Sequence, residues 1–156
     1  MRAIAEEGSK APDFNLPTDG GGSFALSAQK KPVVLFFYPK DDTSGCTAEA
    51  IDFTAAKGDF DKLGVIVAGM SPDPVKKHDK FRDKHSLGVA LISDEAKSTL
   101  EAYGVWVEKS MYGRKYMGVE RSTFLISGNG KIVRAWRKVS VPGHVQAVLD
   151  AARELL

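Results

Sequence analysis

A single cysteine, Cys46, is all the thiol chemistry this sequence of 156 residues contains. That count excludes an internal disulfide framework and is compatible with a reducing compartment. Long hydrophobic runs are missing as well. No window approaches the roughly 18 uninterrupted apolar residues of a membrane span, and the opening MRAIAEEGSK has no apolar stretch after Arg2 to make it a secretory signal. Charge of one sign is also lacking: the formal net charge is +2, which demands neither nucleic acid nor an acidic membrane as partner. Repeats, low-complexity tracts and long linkers are absent. What is left, 43% hydrophobic and 27% charged residues, is the composition of a soluble cytoplasmic protein, and the length suits one domain over 1–156.

The apolar pattern then orders the elements. The opening GSKAPDFNLPTDGGGSFALS reads as short extended pieces broken by prolines and a glycine turn. VVLFFY (33–38), VIVAGMS (65–71) and VALIS (89–93) have the continuous β-branched and aromatic character of strands buried on both faces. Helices are expected between them: one from Thr43 or Ser44 as cap, with Gly58 as a stop or kink, one over PVKKHDKFRDKHS, and one over DEAKSTLEAYGV closed by Gly104. STFLIS and KIVRAWRK flank Asn129-Gly130, a hairpin signal. A terminal helix buries Val145, Val148, Leu149, Ala152, Leu155 and Leu156. Alternating strands and helices followed by a hairpin predict an α/β fold with a mixed central sheet flanked by helices, an order that a thioredoxin-like arrangement fits.

Cys46 lies where the first buried strand gives way to a turn and a helix. A cysteine in a helix's first turn faces unpaired amides and the positive end of the helix dipole, both of which favour the nucleophilic thiolate. Gly45 leaves room for close approach of a small substrate. Asp41 and Asp42 act in the opposite sense, so a cation has to outweigh them. The plain alternative is a buried small side chain, as most free cysteines are.

Pro39, Thr43 and Cys46 form P-x-x-x-T-x-x-C, written PKDDTSGC. This resembles the active-site motif of the peroxiredoxins, cysteine-dependent peroxidases on a thioredoxin fold. Four blocks in order resemble their bacterioferritin comigratory protein, or Q-type, branch: APDFNLPTDGG, FFYPKDDTSGCTAEA, LISDEAKSTLEAYGVW and YGRKYMGVERSTFLIS. The resemblance implies that Cys46 attacks a hydroperoxide and becomes a sulfenic acid. It implies that Thr43 orients the peroxide, that Pro39 shields the thiolate, and that Arg121 supplies the cation beside the sulfur. Glu49 matches a family glutamate expected to hold Arg121 in place. No cofactor and no metal are implied, and His78, His85 and His144 have no metal-ligand spacing. His144 is expected only to start the last helix. KSMYGRKYMG is expected to be a loop, and it lacks the clustered basic face of a nucleic-acid site.

One departure from the family carries a consequence. Where many members of the branch place a resolving cysteine, five residues after the first, this chain has Ile51, and no cysteine follows on the next helix. Cys46 therefore cannot close an intramolecular disulfide. The expected function is a one-cysteine thiol peroxidase acting on hydrogen peroxide and small organic hydroperoxides, recycled by an external thiol such as glutathione, a glutaredoxin or a thioredoxin. A monomer is expected over a dimer. The alternative is a peroxide-responsive redox sensor that is oxidised once and read by a partner. A disulfide reductase would need C-x-x-C, and Glu49 occupies the second position.

Overall fold

A computed structural model describes residues 5–156, so the first four residues of the opening segment lie outside the described residues. Its central strand is β3 (Val33–Phe37), following a small antiparallel pair, β1 (Asn15–Pro17) and β2 (Ser23–Ala25). The glycine cluster makes the turn between that pair, with Gly20 and Gly21 at positive φ. Every residue of β3 is buried. Because side chains alternate across a strand, Val34 and Phe36 face one core cluster and Val33, Leu35 and Phe37 the other. This double burial accounts for the unbroken apolar run.

On one side β3 pairs in parallel with β4 (Ile66–Ser71), which pairs in parallel with β5 (Ala90–Ser93). On the other side it pairs antiparallel with β8 (Ser122–Ile126), which pairs antiparallel with β9 (Ile132–Trp136). The five-stranded order is β5-β4-β3-β8-β9, the mixed sheet of a thioredoxin-like fold. Phe36 pairs with Gly69, and a Cβ on that glycine would come within 2.6 Å of the Phe36 ring. The glycine therefore admits the aromatic side chain at the centre of the sheet.

Three helices bury side chains in the Phe36 cluster: α1 (Ser44–Lys62), α2 (Val75–His85) and α4 (His144–Leu155). The short α3 (Ser98–Ala102) places Leu100 in the opposite cluster, beside Tyr103. Gly58 neither stops nor kinks α1, contrary to expectation. Phe53 and Phe60, seven residues apart, are both buried on the core side, and their burial offsets the roughly 1 kcal/mol that a helical glycine costs. The third helix is shorter than expected, because Asp94 and Lys97 form a turn that leads into it. The Lys97 amide donates to the Asp94 carbonyl, and Lys97 itself is left-handed. Leu155 and Leu156, expected to be buried, are exposed at the chain end.

The stretch expected to be a loop is instead an antiparallel hairpin, β6 (Trp106–Met111) and β7 (Arg114–Val119). Its turn is Tyr112-Gly113, both at positive φ, the two-residue geometry whose twist matches that of paired strands. Glycine in second place was the available signal. No apolar alternation marked the strands, because most of their side chains are exposed.

Candidate active site

The carboxyl end of β3 runs through Tyr38 and Pro39 into the turn 40–43, and α1 begins at Ser44. Cys46 therefore lies in the helix's first turn, as its spacing predicted, and it is 1% exposed. Thr43 occupies the N-cap position, but its hydroxyl makes no cap. It donates back to the Lys40 carbonyl at 2.8 Å, bracing the turn and leaving the oxygen's lone pairs as acceptors.

Arg121 reaches Cys46 across 75 residues of sequence because of strand register. Phe37 pairs with Ser122 in the antiparallel β3–β8 ladder, so the residue before Ser122 comes level with the residue after Phe37, where the cysteine turn starts. The guanidinium then forks. Nη2 donates to Cys46 Sγ at 3.2 Å, and Nη1 donates to Glu49 Oε1 at 2.7 Å. Burial opposes the charge on Arg121, and the Cys46 sulfur and the Glu49 carboxylate outweigh it, so the cation is held. The space at Gly45 belongs to this guanidinium: a Cβ there would sit 3.1 Å from Nη2. The glycine thus makes room for Arg121 beside the sulfur.

Glu49 follows Cys46 by three residues and lies on the same buried side of α1. Its side chain is 0% exposed, and Oε2 has no hydrogen-bond partner among the described residues. Burial pushes its carboxyl up to about 7, against the opposing pull of Arg121. The site therefore places one permanent cation between a sulfur and a carboxyl group that titrates near neutrality.

The two aspartates need no help from Arg121, contrary to the charge argument made from sequence. Asp41 is buried and accepts from Tyr38 Oη at 2.6 Å, while His78 Nδ1 lies 2.7 Å from its Oδ2. His78 Nε2 donates to the Ile92 carbonyl at 3.0 Å. The Asp41 amide donates to Asp73, which also accepts from the Ser71 hydroxyl. Asp41, Asp73 and His78 are close enough together to ring a cation, yet the facing atoms are already engaged in these hydrogen bonds. Asp42 accepts from Lys84 at 2.7 Å and pairs with His85 at 2.9 Å. Hydrogen bonds from His85 and Lys84 hold its carboxyl below the ordinary range. All three partners, His78, Lys84 and His85, come from α2.

The structure thus brings Thr43, Cys46, Glu49 and Arg121 together at the end of β3, with Pro39 half-buried at the strand's exit. Two neighbours were not foreseen. Lys109 on β6 lies within the field of both Arg121 and Cys46, and burial followed by the Arg121 charge lowers its pKa. His144 does begin α4 as expected, but it is also buried with Nε2 2.8 Å from the Thr123 hydroxyl. Burial and then Arg121 push it down to about 4, so it is neutral near pH 7. Its VPGH context was visible in the sequence; its proximity to Arg121 was not.

Known proteins resemble this chain over most of its length. Residues 8–135 match the model of the AhpC/TSA family. Peroxiredoxin Bcp of Bacillus subtilis is 45% identical over 151 residues, covering 96% of each chain. Xanthomonas campestris peroxiredoxin Q superposes with a TM-score of 0.89 at 44% identity, over 98% of both chains. The Mycobacterium tuberculosis peroxidoxin BcpB superposes with a TM-score of 0.85 at 31% identity, over 97% of this chain and 99% of that one. A thiol peroxidase activity is what such relatives support, and the chain belongs to the AhpC/TSA family, among the Bcp and peroxiredoxin Q proteins.

Proposed function

We propose that the chain reduces hydrogen peroxide and small organic hydroperoxides by a one-cysteine cycle. The Cys46 thiolate attacks one oxygen of ROOH. The O–O bond breaks, Cys46 becomes a sulfenic acid, and the departing alkoxide takes a proton to leave as ROH. Arg121 steadies charge on both the sulfur and the departing oxygen. Thr43 receives the hydroperoxide O–H through its free lone pairs, Pro39 keeps water from the sulfur, and Glu49 positions Arg121. An external thiol then condenses with the sulfenic acid, releasing water, and a second thiol frees Cys46 as a thiol.

The observation that carries this reading is the 3.2 Å contact between Arg121 Nη2 and Cys46 Sγ in a chain with no other cysteine. Alkyl peroxide reduction is ascribed to the Xanthomonas campestris bacterioferritin comigratory protein, 43% identical over 97% of this chain. The test is peroxide consumption by the native protein and by Cys46→Ser with dithiothreitol as reductant. Many turnovers by the native protein alone are expected. Equal rates for the two proteins overturn the peroxidase, and consumption that stops near one equivalent makes the chain a sensor.

A further inference from the structure

A groove of about 720 Å³ lies between the cysteine turn and α2. Lys40 and Thr43 form one wall. Lys77, Lys80, Phe81 and Lys84 form the other, spaced i, i+3, i+4 and i+7 along one face of α2. Phe81 is buried and gives the groove an apolar floor.

The acids bordering it are all engaged: Asp41 by His78, Asp42 by Lys84 and His85, and Asp83 by Arg82. Lys40, Lys77 and Lys80 are exposed and have no acidic partner among the described residues. A chain with nearly balanced charge thus collects three unpaired cations around Thr43, three residues before the reactive sulfur. That distance is less than one helical turn.

We propose that this groove seats a carboxylate-bearing low-molecular-weight thiol, the reductant that the Cys46 sulfenic acid requires. The proposal rests on the peroxidase reading and specifies its second substrate. The groove's volume suits a molecule of tripeptide size. The lysines take the carboxylates, and the thiol end points along the Thr43 wall toward Cys46. Cys46–SOH and RSH then give Cys46–S–S–R and water. A second RSH attacks the mixed disulfide, releasing RSSR and the Cys46 thiol, so two thiols supply the two electrons. Because Cys46 is only 1% exposed, a reductant held beside the turn is in place for brief local fluctuations that expose the sulfur while α1 stays folded.

The test compares glutathione, a tripeptide thiol with two carboxylates, with uncharged dithiothreitol as reductant. In the Lys77→Glu, Lys80→Glu double variant, kcat/KM for glutathione relative to that for dithiothreitol should fall about tenfold, and by less at high salt. Lys30→Glu with Lys31→Glu, at the opposite end of β3, is the charge-matched control and should leave the ratio unaltered. Binding of unreactive S-methylglutathione, followed by amide shifts at Lys40, Thr43, Lys77 and Lys80, reads the site without turnover. An unchanged ratio, an equal fall in the control, or no shifts at these amides overturns the proposal. So does an effect confined to KM for a carboxylate-bearing hydroperoxide. Saturable shifts without peroxide turnover on any thiol would support the anion site and overturn the peroxidase reading instead.

Discussion

His78 Nδ1 lies 2.7 Å from Asp41 Oδ2, with the two side chains 0% and 4% exposed. The other imidazole nitrogen faces the Ile92 carbonyl, which can only accept, so Nε2 carries a hydrogen. Nδ1 faces a carboxylate oxygen that also needs a proton between them. The ring is therefore held as an imidazolium by groups on two sides. Burial works to lower its pKa, and the hydrogen bond and charge of Asp41, with the Ile92 carbonyl, raise it overall. Through this pair α2 holds the turn between Pro39 and Thr43 that leads into the helix carrying Cys46.

Replacing that cation should cost stability. His78→Gln leaves the Asp41 carboxylate buried without its countercharge, a loss of roughly 3 kcal/mol for a broken buried pair. His78→Gln with Asp41→Asn should recover part of it. Since the folded pKa lies above the unfolded one, the His78 contribution is complete below pH 6.5 and lost as pH rises through the raised value. Urea melts of wild type and His78→Gln should converge as pH rises; a constant difference would refute the imidazolium.

The fork of Arg121 leads to a second expectation. Lysine keeps the charge but has no planar pair of donors to satisfy Cys46 and Glu49 together. Arg121→Lys should lower kcat/KM for peroxide by about a hundredfold while circular dichroism stays native. A loss of less than threefold would show that charge alone suffices and that the fork geometry is unimportant.

How much of this was visible in the sequence depended on whether the cause was local. β3, β4 and β5 could be read because double burial leaves unbroken apolar runs, and β8 because Asn129-Gly130 marked the hairpin that it opens. β6 and β7 could not, because an exposed hairpin has no hydrophobic period, and its turn residues Tyr112-Gly113 were its only signal. Cys46, Thr43 and Pro39 share one turn, so their spacing brought them together. Arg121 came only through resemblance, since the register that delivers it joins strands far apart in the chain. The charge argument failed for the same reason. Asp41 and Asp42 were weighed with their sequence neighbours, while their hydrogen-bond partners wait on α2, 37 to 43 residues on.

Glu49 should show itself in the pH dependence of stability. Its folded pKa of about 7 lies above the ordinary carboxyl value of 4.5, so its ionisation disfavours the folded state increasingly as pH rises from 4.5 to about 7, and by a constant amount beyond. Glu49→Gln should match wild type near pH 4.5 and exceed it at pH 8, by roughly 3–3.5 kcal/mol at about 1.4 kcal/mol per pH unit between the two values. His144 works in the opposite sense: its depressed pKa makes stability fall as pH drops from 6.5 through about 4. The comparison of Glu49→Gln with wild type cancels that term. A difference that does not grow with pH would show that Arg121 keeps Glu49 ionised throughout.

Ile51 sits on α1 five residues after Cys46 and is 43% exposed. In an intact helix two Cα atoms at that spacing are about 8–9 Å apart, beyond the ~7 Å reach of a disulfide. An Ile51→Cys variant can therefore bridge to Cys46 only if the start of α1 unwinds. After one equivalent of peroxide it should lose two hydrogens by mass spectrometry, and the amides of residues 46–57 should lose protection from hydrogen exchange. The native chain, with nothing to bridge, should keep those amides protected when oxidised. Should the native chain deprotect as fully as the variant, unwinding would be a response to the sulfenic acid itself, and the external thiol would meet an open turn.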